Sequence, residues 1–352
     1  MLFSSEQVSN GHPDKICDQI SDAIVTDILK HDPKGRIAAE CCIKDYDIVI
    51  LGEITSSHTP DYDTLCRNVL KNVGLEDLDC YKIQELISVQ SPDIAMGVDH
   101  DGAGDQGMMF GYATNETKEM LPIPYVLSTR ALQKLRAFNL ENSFSILKPD
   151  AKAQVSYDYK ENRIDTFLIS SQHSESVSLS QVREIIQKIM VETAAEMNLN
   201  TDFRILVNPT GRFVLGSSFA DSGLTGRKII ADTYGGAAHH GGGAFSGKDP
   251  SKVDRSAAYM ARKIAKDLVS VGKTDRCEVQ LAYAIGVAEP VSVYLDCFGT
   301  EHENVGDLWR SVIEKYDLTP KGIISNLNLL NTDYNLVSSY GHFGKENLPW
   351  EI

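Results

Sequence analysis

A glycine-rich stretch with two lysines, GGGAFSGKDPSK at 241–252, contains residue types that can bind an anion. Its three consecutive glycines let backbone N–H groups approach a ligand without side-chain obstruction. Asp249 and Pro250 are typical of the cap and first position of a helix, and Gly272 suits its end. A helix amino end with Lys248 and Lys252 beside it predicts an anion site, and a polyphosphate is the anion that best matches it. The apolar residues at helical spacing between these ends are Ala257, Ala258, Ala261, Ile264 and Leu268.

The local charge supports an anion as ligand. The chain has 34 Lys+Arg against 49 Asp+Glu, a net charge of −15, yet residues 227–266 contain eight cations and three acids. A small anion explains this local excess better than nucleic acid does, because a nucleic-acid surface usually makes a whole domain basic. Arg262, Lys263 and Lys266 have a simpler interpretation, which we favour, as the solvated face of an amphipathic helix.

Two nucleotide-binding motifs match only in part. Gly242, Gly247 and Lys248 fit the start of the P-loop pattern, but Asp249 stands where a Ser or Thr should hold the metal, so we reject a P-loop fold. GAGDQG at 102–107 spells the dinucleotide-binding GxGxxG. It lacks a preceding β-branched strand, a following helix and an acid about 20 residues later, so a dinucleotide fold is only a weak alternative.

The elements that must position these residues repeat along the chain. Two strand-like runs followed by a helix-like run occur three times, which predicts an α+β fold of antiparallel or mixed sheets with helices on one face. Pro13 begins a further predicted helix, with a buried stripe at Ile16, Ile20, Ile24 and Ile28. The repeated runs are 36–44, 47–55 and 61–73; then 153–159, 163–171 and 179–197; then 277–286, 291–298 and 307–316.

Length and composition are those of an ordinary globular protein. At 352 residues, two or three domains are expected. The amino terminus has no basic segment followed by an apolar run, and no stretch approaches the roughly 20 apolar residues of a membrane span, so we predict a cytoplasmic protein without membrane contact. Seven cysteines without a C-x-x-C pair fit free thiols in a reducing compartment.

Four motifs together resemble the S-adenosylmethionine synthetase family: GHPDK at 11–15, GAGDQG at 102–107, GLTGRK at 223–228 and GGGAFSGKD at 241–249. The resemblance extends from residue 3 to residue 350. It implies three similar α+β domains around a pseudo-threefold axis that interleave along the chain. The sequence blocks would be 1–95, 103–219 and 220–352, with a mobile lid loop at 91–104. It also implies a homodimer or homotetramer with shared active sites.

The resemblance further implies a two-step reaction. The methionine sulfur attacks the ribose 5′ carbon of ATP in line, and the tripolyphosphate is then hydrolysed to pyrophosphate and phosphate. A thioether carries no proton to remove, and the sequence has no signature of a covalent nucleophile. The chemical need is therefore to stabilise a leaving group of about four negative charges. Each cation about 4 Å away contributes about 4 kcal/mol at an effective dielectric of 20, before its ground-state share is subtracted.

The family's functional residues correspond to the following positions. Those implied as catalytic are His12, Lys152, Arg227 and Lys248. Those implied to bind ATP are His12, Asp150, Lys152, Arg212, Phe213, Asp221, Arg227, Lys228, Ala244 and Lys248. Those implied to bind methionine are Glu53, Gln90, Asp105, Asp221 and Lys252. Two Mg²⁺ ions per site are implied at Asp14 and Asp254, and one K⁺ per site at Glu40.

Spacing alone would give several of these residues ordinary structural roles. Asp14 could simply complement a helix dipole, and His12 could be a capping histidine. The chain also departs from the family at Asn10, where Glu is usual, at Met96, where Gln is usual, and at 217–220 within GSSFAD, where the usual segment is GGPxGD. The lid is shorter than is common. A homologue that binds a nucleotide or a partner without turnover is therefore a third interpretation.

Overall fold

The computed structural model describes residues 1–89 and 102–352. In chain order its elements are β1 (Leu2–Val8), α1 (Pro13–His31), β2 (Arg36–Lys44), β3 (Asp47–Thr55), α2 (Tyr62–Val73), β4 (Lys82–Ser88), β5 (Gly107–Thr114), α3 (Ile123–Glu141), β6 (Leu147–Asp158), β7 (Arg163–His173), α4 (Leu179–Glu196), β8 (Arg204–Val207), β9 (Gly223–Leu224), α5 (Ile229–Asp232), α6 (Val253–Ser270), β10 (Arg276–Tyr283), β11 (Ser292–Asp296), α7 (Val305–Lys315) and α8 (Pro320–Asn326). Short 3₁₀ turns complete the connections.

Three sheets form the framework, with strand orders β1-β6-β7-β8, β4-β3-β2-β9 and β11-β10-β5. Each sheet is built on one of the predicted hairpins, β6-β7, β2-β3 or β10-β11. The pairs β3-β4 and β7-β8 are parallel, and the other pairs are antiparallel. The predicted α+β class with mixed and antiparallel sheets is confirmed.

The sheets exchange strands in a cycle. The strand before α1, β1, pairs with the hairpin strand β6, and the strand before α3, β5, pairs with β10. The strand β9, which precedes α6, pairs with β2. Each strand–helix–hairpin unit thus lends its first strand to the sheet of the next unit, and the third unit lends its strand to the first. This connectivity is the one that a pseudo-threefold arrangement of three similar units requires.

One long helix packs on each sheet. α1 lies on β2, α3 on β6 and α6 on β5 and β10. The predicted stripe of Ile16, Ile20, Ile24 and Ile28 is fully buried, and α1 begins at Pro13 with His12 as its N-cap, as predicted. A residue every four positions returns to nearly the same side of a helix, so this stripe faces the sheet along its whole length.

Two local predictions around α6 are wrong. The helix begins at Val253 with Lys252 at its N-cap, and not at Pro250. Asp249 does not cap the helix, because the edge of β2 binds it instead: its carboxylate accepts hydrogen bonds from the Ile37 N–H (2.7 Å) and from the Ser251 N–H (2.9 Å). The N–H groups along the edge of a sheet have no strand partner, so they need another acceptor where that edge is buried.

Arg262 is also not on a solvated face. It is fully buried, forms a two-bond ion pair with Glu351 at 3.0 Å for both bonds, and donates to the Tyr112 carbonyl at 2.7 Å. The carboxyl-terminal segment covers the helix at this position, which the helical pattern alone could not indicate. Lys263, in contrast, is half-exposed and pairs with Asp267 one turn away.

The alternative nucleotide folds are excluded by element order. GAGDQG leads into strand β5 and not into a helix, so the dinucleotide-binding arrangement is missing. The apolar run before the glycine loop contains the short helix α5 and not a strand. The predicted lid at 91–104, with Met96, and the predicted ligand Gln90 lie largely outside the described residues. In the described part of the predicted lid, the Ala103 N–H donates to the Val287 carbonyl at 3.0 Å.

All seven cysteines are free, in agreement with the prediction. Five are buried, Cys42 is half-buried and Cys80 is exposed. Over residues 1–89 and 102–352, none of the helices combines the length and the apolar character needed to cross a membrane.

Candidate active site

The buried face of α1 has a row of three carboxylates, Asp14, Asp18 and Asp22, spaced four residues apart. At this spacing they lie on one side of the helix, one turn apart. Each carboxylate accepts a hydrogen bond from a loop backbone, and the donors are the N–H groups of Leu224, Gly226 and Gly247, at 2.9, 2.8 and 3.0 Å. The helix therefore fixes the position of two loops that are distant in sequence.

These loops are the arginine–lysine loop, residues 223–228, and the glycine loop, residues 241–248. Both lie along the outer edge of β2: β9 in the first loop pairs with it, and the glycine loop accepts a hydrogen bond from the Ala39 N–H at 2.9 Å. The loops touch at Gly226, where an added Cβ would lie 2.4 Å from the Cβ of Ala244. Gly226 also has a φ of +76°, so a larger residue would both strain this loop and push the two apart.

At the arginine–lysine loop, cations surround Asp14. Lys228 forms an ion pair with its carboxylate, and Arg227 Nε lies 3.8 Å from Oδ1. Burial opposes ionisation of Asp14, but hydrogen bonds from Lys228 and from the loop backbone nevertheless lower its pKa below the usual value. Burial, together with the charges of Lys228 and Lys152, lowers the pKa of His12 to about 3, so this imidazole is neutral at pH 7. Since its Nδ1 accepts from the Asp14 N–H at 3.2 Å, the ring proton is on Nε2, which is a donor.

A second carboxyl group lies beside this cluster. Asp150, on β6, accepts from the Ser217 N–H at 2.7 Å, and burial raises its pKa to about 6 despite that bond and the nearby charge of Lys152. Asp221 also acts electrostatically on both Asp150 and His12, so it belongs to the same group. The altered segment at 217–220 still forms a turn that supports it, because the Asp221 N–H donates to the Ser217 carbonyl at 3.1 Å.

At the glycine loop, Lys248 pairs with Asp254 in the first turn of α6, at 2.5 Å. The loop backbone packs directly on this acid, since a Cβ at Gly243 would lie 2.3 Å from its Oδ1. Lys252 pairs with Asp249 at 2.7 Å. The second loop therefore presents a half-buried lysine–carboxylate pair of the same kind as the first.

The predicted ligands Glu40 and Glu53 lie elsewhere, on the open face of the β4-β3-β2-β9 sheet. Both side chains are exposed, because the alternation along β2 and β3 turns them away from the core. Glu53 is opposite Ala38 in the register, and Ala38 forms an isolated bridge with Lys248. The backbone thus brings Glu53 near the glycine loop, whereas Glu40 is two residue pairs further along the strand.

Three other predicted residues are at the periphery. Asp105 is exposed in the turn before β5 and accepts from its neighbour's N–H at 2.7 Å. Arg212 is mostly exposed and pairs with Glu175 at 2.5 Å, and Phe213 beside it is half-buried. Gln90 lies outside the described residues. Their roles remain predictions.

Sequence reasoning missed the residues that support these loops. Asp22 and Arg255 form a fully buried two-bond ion pair, at 2.8 Å for both bonds, and Lys15 is buried between Asp18 and Asp232. The four-residue spacing of acids along α1 was visible in the sequence. It signalled a polar stripe on the side of the helix opposite the isoleucine stripe, and buried acids require paired or hydrogen-bonded partners.

A pH prediction follows from His12. Its folded-state pKa of about 3 lies below the unfolded value, so between about pH 6.5 and 3 the unfolded chain binds more protons and stability falls as pH falls. We expect urea unfolding to show that wild type loses about 2 kcal/mol more than His12→Gln between pH 7 and pH 5. His302→Gln is the control. The His302 ring is exposed, so this variant should lose as much stability as wild type does. Equal losses in wild type and His12→Gln would mean that the imidazole is not buried as a neutral group.

Fold and site together define a class of protein. It has three α+β units, lysines and an arginine on two loops, and a neutral histidine at the start of α1, an arrangement suited to a polyphosphate ligand.

Three family models match the chain. The N-terminal domain of S-adenosylmethionine synthetase matches residues 1–92, its central domain residues 100–213 and its C-terminal domain residues 215–352. The matches cover nearly the whole sequence, and the chain belongs to the S-adenosylmethionine synthetase family. The full set of domains supports methionine adenosyltransferase activity, the synthesis of S-adenosylmethionine from ATP and methionine.

Proposed function

We propose that this enzyme forms S-adenosylmethionine by in-line attack of the methionine sulfur on the ribose 5′ carbon of ATP, and then hydrolyses the tripolyphosphate to pyrophosphate and phosphate. The observation that carries the proposal is the pair of loops at the β2 edge. Each presents a lysine, Lys228 or Lys248, against a carboxylate, Asp14 or Asp254. Departure of a polyanion is favoured by cations held in place before the reaction.

The chain's own cations would bind the phosphates. Lys152, Arg227, Lys228 and Lys248 supply positive charge, and the Nε2–H of neutral His12 supplies a hydrogen-bond donor that does not add charge. Charge that develops on the leaving oxygen is then met by groups that need not reorganise. The remaining proposed ATP contacts are Asp150, Arg212, Phe213, Asp221 and Ala244, and the proposed methionine contacts are Glu53, Gln90, Asp105, Asp221 and Lys252.

Asp14 and Asp254 suit the two proposed Mg²⁺ ions. Mg²⁺ prefers oxygen ligands and commonly uses one or two carboxylates together with substrate phosphates. Asp14 fits because hydrogen bonds and cations keep it ionised, and Asp254 fits because it faces the glycine loop at close range. When bound, Mg²⁺ would neutralise part of the phosphate charge. For K⁺ we propose Glu40, whose position on an open sheet face implies further oxygen ligands from a second subunit.

The decisive experiment is an assay with ATP, methionine, Mg²⁺ and K⁺, analysed by mass spectrometry for the sulfonium product, pyrophosphate and phosphate. ATP cleavage should depend on methionine, because hydrolysis follows transfer. Rapid ATP cleavage without methionine would contradict the order of steps. Nucleotide binding without any sulfonium product would favour the non-catalytic interpretation.

We propose a homodimer, or a homotetramer built from two such dimers, with active sites shared across the open face of the β4-β3-β2-β9 sheet. Apolar side chains stand exposed on this face at Leu51, Leu86 and Leu224, by 37%, 56% and 42%. Leu51 and Leu86 are register partners on neighbouring strands, and Leu51 is opposite Glu40. Exposed apolar side chains beside a predicted ligand are what a second copy would cover.

Leu51→Asp should therefore dissociate the dimer. In a two-fold interface one substitution buries two like charges without partners, which is strongly unfavourable. We expect sedimentation velocity to report a monomer and the rate of product formation to fall at least about tenfold. Val271→Asp, at an exposed apolar residue just after α6, is the matched control and should change neither. A dimeric, fully active Leu51→Asp protein would place the interface on another surface.

A further inference from the structure

A compact group of metal-ligating side chains lies at the opposite end of α1 from Asp14. Asp27 and His31 are in the last turns of the helix, and His58 comes from the connection between β3 and α2. One ligand atom from each residue lies within 4.8 Å of the ligand atoms of the other two. We propose that Asp27, His31 and His58 bind a zinc-class transition-metal ion that links α1 to the β3–α2 connection.

The local sequence explains why the group forms. Residues 27 and 31 are four apart, so they share one helix face one turn apart. His58 is positioned by its own loop: its N–H donates to Ser56 Oγ at 3.0 Å, and Ser56 Oγ in turn donates to Asp32 at 3.0 Å. The Asp32 carboxylate also accepts a hydrogen bond from the Ser57 N–H at 2.7 Å. The loop that presents His58 is therefore fastened to the carboxyl end of the helix before any ion binds.

Hydrogen bonds set the ring tautomers. His31 Nδ1 is 2.8 Å from the Asp27 carbonyl, which can only accept, so Nδ1 has the proton and Nε2 of the neutral ring keeps its lone pair. His58 Nε2 lies 2.6 Å from Asp27 Oδ2, and the two imidazoles stack with centroids 4.1 Å apart. A histidine fixed through one nitrogen to a backbone carbonyl is the usual arrangement of a metal ligand.

The chemistry of the three groups selects the ion. Two imidazoles and one carboxylate suit Zn²⁺ and its neighbours in the first transition row, whereas Mg²⁺ and Ca²⁺ prefer oxygen ligands alone. Zinc bonds of about 2.0–2.2 Å at tetrahedral angles put ligand atoms about 3.3–3.5 Å apart. The side chains must therefore shorten the wider separations by about 1.5 Å at most and move His58 Nε2 and Asp27 Oδ2, which are 2.6 Å apart, about 0.8 Å away from each other. They have room to do so, since the side chains of His31 and His58 are 48% and 28% exposed.

The position of these three side chains at the end of α1 favours binding of a cation and separates them from the phosphate site. Asp14 and Asp27 are 13 residues apart on one helix, or about 20 Å. The carboxyl end of a helix has a partial negative charge that favours a cation. An ion there would tie the end of α1 to the β3–α2 connection and would add stability without entering the reaction.

The test is zinc binding by the full-length enzyme, measured by competition with a chromophoric chelator in excess Mg²⁺, which occupies the oxygen sites. We expect His58→Gln and His31→Gln each to bind one equivalent of Zn²⁺ fewer, with affinity at this site lowered about 100-fold or more, because loss of even an outer partner costs about 10–100-fold. His302→Gln is the matched control: His302 is exposed and faces the single carboxylate of Asp275 at 3.3 Å. It should bind zinc as wild type does.

Two further readouts make the outcome unambiguous. Co²⁺ should give the intense visible absorption of a tetrahedral ion in wild type and in His302→Gln, but not in His58→Gln. Zinc should raise the thermal midpoint of the same two proteins only, since an ion that binds the folded state alone stabilises it. All variants should retain the wild-type rate of S-adenosylmethionine synthesis without zinc, because these side chains are exposed and far from the phosphate site. Equal zinc affinity in wild type and His58→Gln would overturn the proposal.

Discussion

Lys248→Met is expected to slow S-adenosylmethionine formation by about 100-fold with the fold intact. A cation about 4 Å from a phosphate contributes about 4 kcal/mol at an effective dielectric of 20, and part of that is already present with bound ATP. A remainder of about 3 kcal/mol corresponds to about two powers of ten in rate. Methionine retains much of the lysine's apolar length but has no charge, so the change isolates electrostatics. The rate is measured as sulfonium product formed under saturating ATP and methionine.

The chain offers a closely matched control on α6, the helix that contains Asp254, the partner of Lys248. Lys263 pairs with Asp267 at 2.6 Å, with side-chain exposures of 22% and 22%, against 24% and 27% for Lys248 and Asp254. Lys263→Met removes an equivalent ion pair away from the glycine loop and should leave the rate within about twofold of wild type. Both variants should lose at most about 1 kcal/mol of stability, because partly exposed pairs contribute little. A near-normal rate in Lys248→Met would remove this residue from the reaction.

Arg255→Met should have the largest effect on stability, about 3–5 kcal/mol. The guanidinium forms two bonds to Asp22 at 2.8 Å, donates to the Lys248 carbonyl at 3.0 Å, and lies 4.0 Å from the centre of the Tyr334 ring. Both members of the pair are 0% exposed. Removing the cation leaves a buried carboxylate uncompensated, which costs far more than loss of a surface pair. Asp22 also anchors the glycine loop, so the rate should fall as well.

Urea unfolding at pH 7 measures the loss directly. Arg310→Met is the control, because Arg310 pairs with Asp307 at 2.9 Å on the surface, with both side chains more than 60% exposed. Its free energy of unfolding should change by no more than about 0.5 kcal/mol. If Arg255→Met were equally mild, Asp22 would have to be protonated or solvated, and α1 would not hold the glycine loop through an ionised side chain.

The periodic elements were predictable because their signals are local. The three hairpin–helix units have nearly the predicted bounds, and the isoleucine stripe identified the apolar buried face of α1. Hydrophobic period and turn residues act within about ten positions of each other, so they can be read without knowledge of the partner. The short glycine and lysine motifs likewise identified the family, and local composition predicted an anion site at the glycine loop.

The loop supports could not be predicted in the same way. Asp22 and Arg255 are 233 positions apart, and nothing near either residue distinguishes it from a solvated charge. Arg262 shows the same limit. The helical pattern places it on a surface stripe, but it is buried because the carboxyl-terminal segment folds over it and supplies Glu351. A charged residue becomes a core residue only when a partner reaches it, and the partner is decided by packing.

By itself the sequence determined the local units and the free thiols and predicted a polyphosphate site on glycine and lysine residues, because these depend on neighbours along the chain. The tertiary structure alone decided that β1, β5 and β9 each join the next unit's sheet, that the acids of α1 hold both loops, and that His58 meets Asp27 and His31. Strand edges and buried acids can satisfy their hydrogen bonds with many partners of equal local quality. Only competition among all of them in the compact chain selects one.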